Sequence, residues 1–263
     1  MRIVFSLFLL VFLAACSSDK DAADAYVERP VGDLYNAAQD KMEKGDYIGA
    51  AKDFEEVDRQ HPYSEWATRA QLQAAYAYYQ DREYEKAQAT LDRFIQVHPG
   101  NENVAYAYYI RALTYYEQIY DVKRDQSVTE TAMKTLQEVK DRFPDSQYAR
   151  DASLKLDLVR DHLAGKDMEV GRWYQKQNLQ VAAIGRFRNV IEKYQTTSHT
   201  PEALHRLVEC YLALGINKEA QAAGAVLGAN FPGSKWYEDS YALLTGKGLQ
   251  PSLDPGGWLD KIF

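Results

Sequence analysis

The hydrophobic positions of this chain recur at the spacing of one face of an α-helix. Five segments share one pattern that begins with an alanine. Four positions later stands a large apolar residue, except in the last segment. A large apolar residue follows three positions further, and a turn residue five positions after that. The alanines are Ala50, Ala87, Ala132, Ala183 and Ala220. Each segment therefore predicts an amphipathic helix that ends at proline, which cannot continue a helix, or at a residue in its place.

The turn residues set the period of the chain. They are Pro62, Pro99, Pro144, Gln195 and Pro232, so the steps between them are 37, 45, 51 and 37 residues. A second helical pattern precedes each segment, with small residues at Ala38, Ala75, Ala112 and Gly171. Helix pairs with this period resemble tetratricopeptide repeats and predict an all-α helical solenoid of about five helix hairpins.

The same pattern predicts the bounds of the units. The expected helix pairs are 31–44 with 47–60, 64–80 with 84–97, 101–120 with 127–142, 166–177 with 180–194, and 200–214 with 217–231. An extra or lengthened helix over 146–163, with Gly165 as a candidate break, and a capping helix over 234–244 complete the prediction. Residues 31–142 then hold three N-terminal repeats and 143–245 two C-terminal ones, whereas the tail 246–263 is expected to be flexible and mostly disordered because it has four glycines and two prolines.

The first 15 residues have the pattern of a bacterial signal peptide. Arg2 precedes an apolar run over 3–13, which is shorter than the roughly 20 residues that a membrane-spanning helix needs. The run ends in LAAC at 13–16, which resembles a lipobox, so Cys16 is expected to be acylated and residues 16–30 to form the lipid anchor and a flexible tether. Cys16 is followed by Ser17 and not by an aspartate, which resembles enterobacterial lipoproteins that are sorted to the outer membrane. An ordinary secretory signal is the alternative.

Composition and motifs narrow the classes of function. The net charge of −7, with cations spread along helix faces, argues against a nucleic-acid partner. Cys210 has no disulfide partner once Cys16 is acylated, so it is expected to be a small buried hydrophobe. His205 and Glu209 share a helix face but do not make the three or four ligands of a metal site. The chain has no HExxH, Walker-type glycine loop or GxSxG, so we expect no enzyme, no metal and no cofactor beyond the covalent lipid.

The first helix of each hairpin lines the concave face of such a solenoid. Tyrosine rings there suit extended peptides, because the ring offers apolar area and the hydroxyl can bond a backbone. Packing between helices is the alternative, and we expect it for Tyr78 and Tyr115. The predicted client-binding groove of repeats one to three consists of Tyr35, Gln39, Arg69, Tyr76, Tyr79, Tyr106, Tyr109 and Tyr116.

With a lipobox, a short tether and five such repeats, the chain resembles the BamD (ComL) lipoproteins of the outer-membrane β-barrel assembly machinery. The resemblance covers nearly all of the mature chain, and it is most specific at 75–118, at RDQ in 124–126 and at FPDSQYARDA in 143–152. It implies a non-enzymatic scaffold, lipid-anchored on the periplasmic face of the outer membrane of a Gram-negative bacterium.

The resemblance also implies two kinds of partner. The N-terminal repeats would receive unfolded outer-membrane protein precursors, and the C-terminal repeats would dock the periplasmic domain of the central β-barrel insertase; other assembly lipoproteins are further possible partners. In that family a basic residue on the second helix of repeat four takes part in docking. Arg186 stands at the matching place, with Arg172 and Arg188 nearby, and a solvated helix face is the alternative for Arg186.

Two other functions compete with this interpretation. A periplasmic tetratricopeptide adaptor that coordinates peptidoglycan synthesis or cell division would use the same groove for its partners. An envelope hydrolase would need a catalytic constellation that the sequence does not contain.

Overall fold

The computed structural model describes residues 28–253 and 256–263, and the regular elements in these ranges are all helical. The signal peptide, Cys16 and most of the tether lie outside the described residues. The α-helices are α1 Val31–Glu43, α2 Tyr47–Gln60, α3 Glu65–Gln80, α4 Tyr84–Val97, α5 Val104–Tyr116, α6 Ser127–Arg142, α7 Gln147–Lys176, α8 Gln180–Lys193, α9 Thr200–Ala213, α10 Asn217–Asn230 and α11 Lys235–Thr245, and a short 3-10 helix, Leu259–Lys261, follows.

Each helix packs against the next one in the chain, and the first helices of successive hairpins also touch: α1 with α3, α3 with α5, and α5 with α7. The hairpins are α1–α2, α3–α4, α5–α6, the second half of α7 with α8, and α9–α10. This stacking confirms the predicted all-α solenoid of tetratricopeptide type.

The repeated pattern marks the core. All five alanines and the residues seven positions after them are buried. Small residues on the first helix make room for large ones on the second: a Cβ on Gly171 would lie 2.5 Å from the ring of Phe187. Gly224 breaks the pattern of large residues because Leu244 of α11 fills its place, at 2.6 Å from a Cβ built on the glycine. The capping helix thus completes the last hairpin.

Left-handed backbone reverses the chain inside four hairpins. Gly45, Arg82, Asn178 and Gly215 have φ values of +78°, +63°, +59° and +73° at the same position of their units. Glycine adopts this conformation without a steric penalty and asparagine adopts it with a small one, which is why such residues suit the turn. The repeat therefore extends to the backbone of its turns.

The helices α3, α7 and α11 each begin with a serine N-cap. Ser64, Ser146 and Ser234 each stand two residues after a turn proline, and each side-chain oxygen accepts a hydrogen bond from the backbone N–H three residues on. Such N-caps satisfy an N–H group that the helix leaves free, which is typically worth about 1 kcal/mol.

Gly165 does not break the helix, so of the two alternatives for 146–163 the lengthened helix is the one that forms. Helix α7 runs through it for 30 residues, so the expected extra helix and the first helix of repeat four are one element. Gly165 is buried instead where His199 and Val122 approach, at 3.2 Å and 3.6 Å from a built Cβ. The glycine therefore permits close packing, and the roughly 1 kcal/mol that it costs a helix relative to alanine does not break the helix. Helix α5 is also shorter than expected.

The tail is ordered where the structure describes it, which corrects the expected disorder. Leu259 is 3% exposed, and the indole of Trp258 donates a hydrogen bond to Glu219 at 3.1 Å. The backbone N–H of Ser252 donates to the carbonyl of Gln221 on α10. Glycine and proline content gave the wrong indication because the tail also carries apolar side chains that are buried against the last repeat.

Cys210 lies in the core, and the described residues form neither a helix suited to span a membrane nor a cluster suited to bind a metal ion. Cys210 is fully buried, and this burial raises the pKa of its thiol to about 12, as suits a small core residue. Within 28–253 and 256–263 no helix has the length and apolarity needed to cross a membrane. The same ranges hold no group of three acidic, His or Cys residues placed to bind a metal ion.

Two glycines of the fourth hairpin provide a matched test of the packing. Gly171→Ala should lower the free energy of unfolding by about 1–3 kcal/mol, because the added methyl group collides with the buried ring of Phe187. Gly185→Ala on α8 should raise it by about 0.5–1 kcal/mol, because its Cβ meets nothing within 4 Å and alanine favours the helix. Chemical denaturation of both variants measures the difference. Equal effects would contradict the close approach of the two helices.

Candidate binding surfaces

Tyrosine side chains of α3, α4, α5 and α7 form one connected group, the tyrosine cluster. Ring centroids are 6.4 Å apart for Tyr76 and Tyr106, and 5.5 Å apart for Tyr106 and Tyr148. Tyr109 stacks on Tyr148 at 5.2 Å. The cluster consists of Tyr76, Tyr79, Tyr84, Tyr106, Tyr109 and Tyr148. Four of the predicted groove tyrosines are therefore in mutual reach.

The rings of the cluster are half-buried. Burial is the main cause that raises the pKa of Tyr79 to about 12 and shifts the pKa of Tyr106 and Tyr109 upward as well. The hydroxyl of Tyr109 donates to Asp151 on α7. These hydroxyls therefore stay protonated over the physiological pH range and can act as hydrogen-bond donors.

A cleft of about 690 Å³ opens beside the cluster. Its lining includes the predicted Tyr35, Arg69 and Tyr106, together with Leu72 and Tyr148. Arg69 is exposed and forms no ion pair with any residue that the structure describes. Glu65 and Glu102 also line it, so the cleft combines aromatic side chains with two carboxylates and one cation that has no ion pair among the described residues. We call it the client cleft, after the predicted client-binding groove.

The remaining groove residues lie around this cleft. Tyr35 meets Trp66 edge-on at 4.8 Å, and Gln39 donates to the hydroxyl of Tyr35 at 3.4 Å. Tyr116 lies under the ammonium group of Lys155, which is 5.5 Å from the ring centroid. Of the eight predicted groove residues, Tyr35, Arg69 and Tyr106 line the cleft, whereas Gln39, Tyr116 and the cluster members Tyr76, Tyr79 and Tyr109 do not.

The sequence analysis did not predict Tyr148 or Trp66 as part of this surface. Each stands four residues after a turn proline, in HPYSEW and FPDSQY. The shared register after the two prolines is the signal in the sequence that could have found them.

Arg186 lies in a second cleft, of about 630 Å³, which we call the Arg186 cleft. Its guanidinium contacts Asp167 at 3.1 Å, and Asn189 also donates to this carboxylate, which is 6% exposed. The side chain of Arg186 keeps 46% of its surface exposed. Four further cations line the cleft, namely Lys123, Arg124, Lys166 and Lys193. Asp125 and Glu130 line it as well, so five cations surround the buried Asp167 and face two further acids.

The structure does not bring the other two predicted docking residues to this cleft. Arg172 is held by Glu169 and Glu202, at 3.2 Å and 3.0 Å. Arg188 pairs with Glu192 at 2.9 Å and lies under the indole of Trp258 at 4.2 Å. Residues 186 and 188 are about 200° apart around an α-helix, so their side chains leave α8 on different sides.

His205 and Glu209, which share a helix face as expected, belong to a larger polar network that joins α9 to its neighbours. The Nδ1 atom of His205 lies 2.8 Å from the hydroxyl of Ser240 on α11, and its Nε2 atom is 3.5 Å from Glu209. Burial alone would raise the pKa of Glu209, but hydrogen bonds from His205, Gln175 and Arg206 lower it to about 2. These groups satisfy one another, so the network stabilises the last repeat.

Residues 27–227 match the family described as YfiO, outer membrane lipoprotein. The assembly factor BamD of Caulobacter vibrioides is 51% identical over 244 residues, which are 92% of this chain and 80% of that protein. BamD of Rickettsia prowazekii is 46% identical over 232 residues, 88% of this chain and 92% of that protein. These relatives are named outer membrane protein assembly factors rather than enzymes.

Solved tetratricopeptide structures also align with the chain. The repeat domain of P58(IPK) is 15% identical with a TM-score of 0.42 and covers 81% of this chain and 55% of that one. A tetratricopeptide protein of Thermus thermophilus is 18% identical with a TM-score of 0.38, covering 81% of this chain and 98% of that one. The assignment of the fold rests on the helix packing described above.

The family match extends over most of the sequence, and the two relatives cover most of both chains in each comparison. The chain therefore belongs to the YfiO family of outer membrane lipoproteins, whose curated relatives are named BamD.

Proposed function

We propose that this chain is a non-enzymatic, lipid-anchored scaffold in the assembly of outer membrane proteins. It binds unfolded β-barrel precursors with its N-terminal repeats and docks the periplasmic domain of the central insertase with its C-terminal repeats. The observation that carries the proposal is the client cleft, in a chain whose relatives are named as outer membrane protein assembly factors. Those names do not support the alternative of an adaptor for peptidoglycan synthesis or cell division.

The client cleft suits an extended, partly apolar peptide. Its aromatic walls offer flat apolar area that is already rigid, so binding costs little side-chain entropy. The exposed guanidinium of Arg69 and the tyrosine hydroxyls can bond carbonyl or carboxylate oxygens of the peptide. These features favour an unfolded client over a folded surface.

The Arg186 cleft suits a folded partner with an acidic surface. Complementary charges direct such docking and raise its rate, and a partly desolvated arginine can contribute to affinity. All three predicted arginines pair with an acid of the chain, but Arg186 is the most exposed of them, at 46% against 30% for Arg172 and 38% for Arg188.

The tether would leave the fold at the first repeat. The N–H of Arg29 donates to the side chain of Gln60 at 2.9 Å, and the carbonyl of Arg29 lies 2.8 Å from the ring of His61. These contacts fix the start of the described chain against the end of α2. An anchor on Cys16 would thus hold the client repeats at the membrane surface.

The anchor can be tested with the two cysteines of the chain. Cys16→Ala should abolish incorporation of labelled palmitate and leave a longer precursor, because the acylated residue is lost. Cys210→Ala serves as the matched control and should keep the label, since Cys210 is a buried core residue. Metabolic labelling followed by gel analysis distinguishes the two. Palmitate on the Cys16→Ala protein would refute the assignment.

The client cleft can be tested with paired tyrosine variants. Tyr106→Ala with Tyr148→Ala should weaken binding of a peptide from the carboxyl end of an outer-membrane β-barrel protein by more than about tenfold. Aromatic side chains in a buried binding site often contribute more than about 1 kcal/mol each, and about 1.4 kcal/mol is a factor of ten. Fluorescence titration of the peptide provides the measurement.

Two exposed tyrosines outside the cleft provide the control for this test. Tyr63 and Tyr120 are 102% and 61% exposed, so replacing both with alanine should leave the affinity unchanged. Replacing the exposed Arg69 with glutamine leaves the tyrosine cluster intact, and this variant should also weaken binding of the peptide. If all three variants bind as the parent does, the precursor binds elsewhere.

A test of the Arg186 cleft needs a variant that does not leave the buried carboxylate of Asp167 without a partner. Arg186→Glu would leave Asp167 beside a second carboxylate and destabilise the fold, whereas Arg186→Gln can still donate a hydrogen bond to Asp167. Arg186→Gln should weaken docking of the insertase's periplasmic domain by about tenfold, while Arg188→Gln should have a smaller effect. Calorimetric titration, with melting curves of both variants, provides the measurement. A larger effect of Arg188→Gln would place docking on the other side of α8.

A further inference from the structure

Leu154 and Leu158 form an exposed apolar patch on the first half of α7, which we call the leucine patch. They stand ten and fourteen positions after their turn proline, as Leu72 and Tyr76 do in the second repeat. Their side chains lie one helical turn apart on one face of α7, and they are 67% and 62% exposed. The register thus places two large apolar side chains in the open where an earlier repeat carries packed ones.

In the earlier repeats this register faces the first helix of the next hairpin, on the side of the client cleft. Leu72 and Tyr76 pack in the core that α3 and α4 form with α5, and Leu72 also lines the client cleft. Tyr109, the equivalent residue on α5, stacks on Tyr148 of α7 at 5.2 Å. The leucine patch therefore continues, on α7, the face of the solenoid that carries the tyrosine cluster.

The next first helix, α9, packs too far along α7 to cover the leucine patch. The chain before α9 reaches α7 at Asp161, which accepts hydrogen bonds from the backbone and the side chain of Ser198. Helix α9 then runs beside the second half of α7, where Arg172 contacts Glu202 at 3.0 Å. The length of α7 therefore leaves the face between Tyr148 and Asp161 open, and the two leucines lie on it.

The separation of the client cleft from the leucine patch suits an extended chain. Packed helices lie about 8–10 Å apart, so α3 and α7 are separated by about 16–20 Å across α5. An extended polypeptide advances about 3.3 Å per residue and covers this distance in about five or six residues. One peptide segment can therefore contact Arg69 on α3, the tyrosine cluster and the leucine patch at the same time.

The chemistry of the precursor provides a side chain for this patch. In the strands of a membrane β-barrel, apolar side chains that face the lipid alternate with side chains that face the lumen. An extended strand of this kind presents an apolar side chain on one face at every second residue, about 7 Å apart. Such a strand can place apolar side chains on the tyrosine rings and, further along, on the leucine patch.

We propose that Leu154 and Leu158 form a second apolar subsite of the client groove, which binds an upstream apolar side chain of the same extended precursor segment. The affinity comes from burying apolar surface that the chain itself leaves exposed. This inference rests on the proposed function and deepens it, because it assigns two specificity-determining residues that lie outside the client cleft.

Two peptides test the subsite on the full-length protein in mild detergent. The first comprises the last ten residues of an outer-membrane β-barrel protein, which span about 33 Å and can reach from α3 past the leucines. The second carries serine in place of the apolar residues among its first four positions. It should bind the parent protein at least about fivefold more weakly, since it loses the apolar contact with the patch. Calorimetric titration of the unlabelled peptides provides both affinities.

Variants of the patch assign this contact to the leucines. Leu154→Gln with Leu158→Gln should weaken binding of the first peptide at least about fivefold and should bind both peptides equally well, because the subsite is lost. Leu154→Met with Leu158→Met should keep the preference for the first peptide, since methionine retains the apolar surface. Val97→Gln with Val181→Gln, at positions 58% and 73% exposed on second helices, should leave both affinities unchanged. Circular dichroism checks that the variants keep the fold.

The outcomes separate the subsite from the proposed function. If Tyr106→Ala with Tyr148→Ala weakens binding but the leucine-to-glutamine variant still prefers the first peptide as the parent does, the client cleft stands and the subsite is wrong. If neither peptide binds the parent protein, both are wrong. The subsite is also overturned if the leucine and valine variants behave alike. A dimer of the parent protein that the leucine-to-glutamine variant dissociates in sedimentation would overturn it too, because the patch would then bind a second copy.

Discussion

The architecture depends on the packing of large side chains of one helix onto small side chains of its hairpin partner. Phe187 over Gly171 shows the constraint most directly, because even a methyl group on the glycine would collide with the ring. This close approach brings two backbones together and lets the next hairpin stack in the same way. Where the rule is broken at Gly224, Leu244 of the capping helix restores the missing volume. Stability is thus distributed over neighbouring contacts, as is general for repeat proteins.

A solenoid of this kind tolerates an incomplete repeat as long as the first helices keep stacking. Helix α7 meets this condition by serving two units, so the two groups of repeats stay joined by one continuous helix. Leu154 and Leu158 of this helix stay 67% and 62% exposed, whereas their counterparts Leu72 and Tyr76 on α3 are partly buried. The irregular step of 51 residues between Pro144 and Gln195 therefore has a structural cause, the long helix α7.

The two clefts differ in how far the chain satisfies its own polar groups. In the client cleft the rings support one another, and Arg69 is left without an ion pair among the described residues. In the Arg186 cleft a buried acid holds the arginine in place and leaves half of its surface to a partner. Arg172 and Arg188 contact Glu202 and Trp258 and are less exposed than Arg186. Exposed basic residues on the same two helices are thus unequal as docking residues.

The sequence by itself determined the fold class, the hairpins and their core, because small and large residues recur at a helical spacing that only stacked hairpins can bury. It also indicated most of the tyrosine cluster, since the repeat register places those rings on one face. Only the tertiary structure decided that Gly165 lies inside a helix, because its reason is the approach of His199. The same holds for the ordered tail, where Trp258 and Leu259 find partners far away in sequence. Local composition predicts such segments poorly, because their conformation is set by contacts that a linear pattern does not contain.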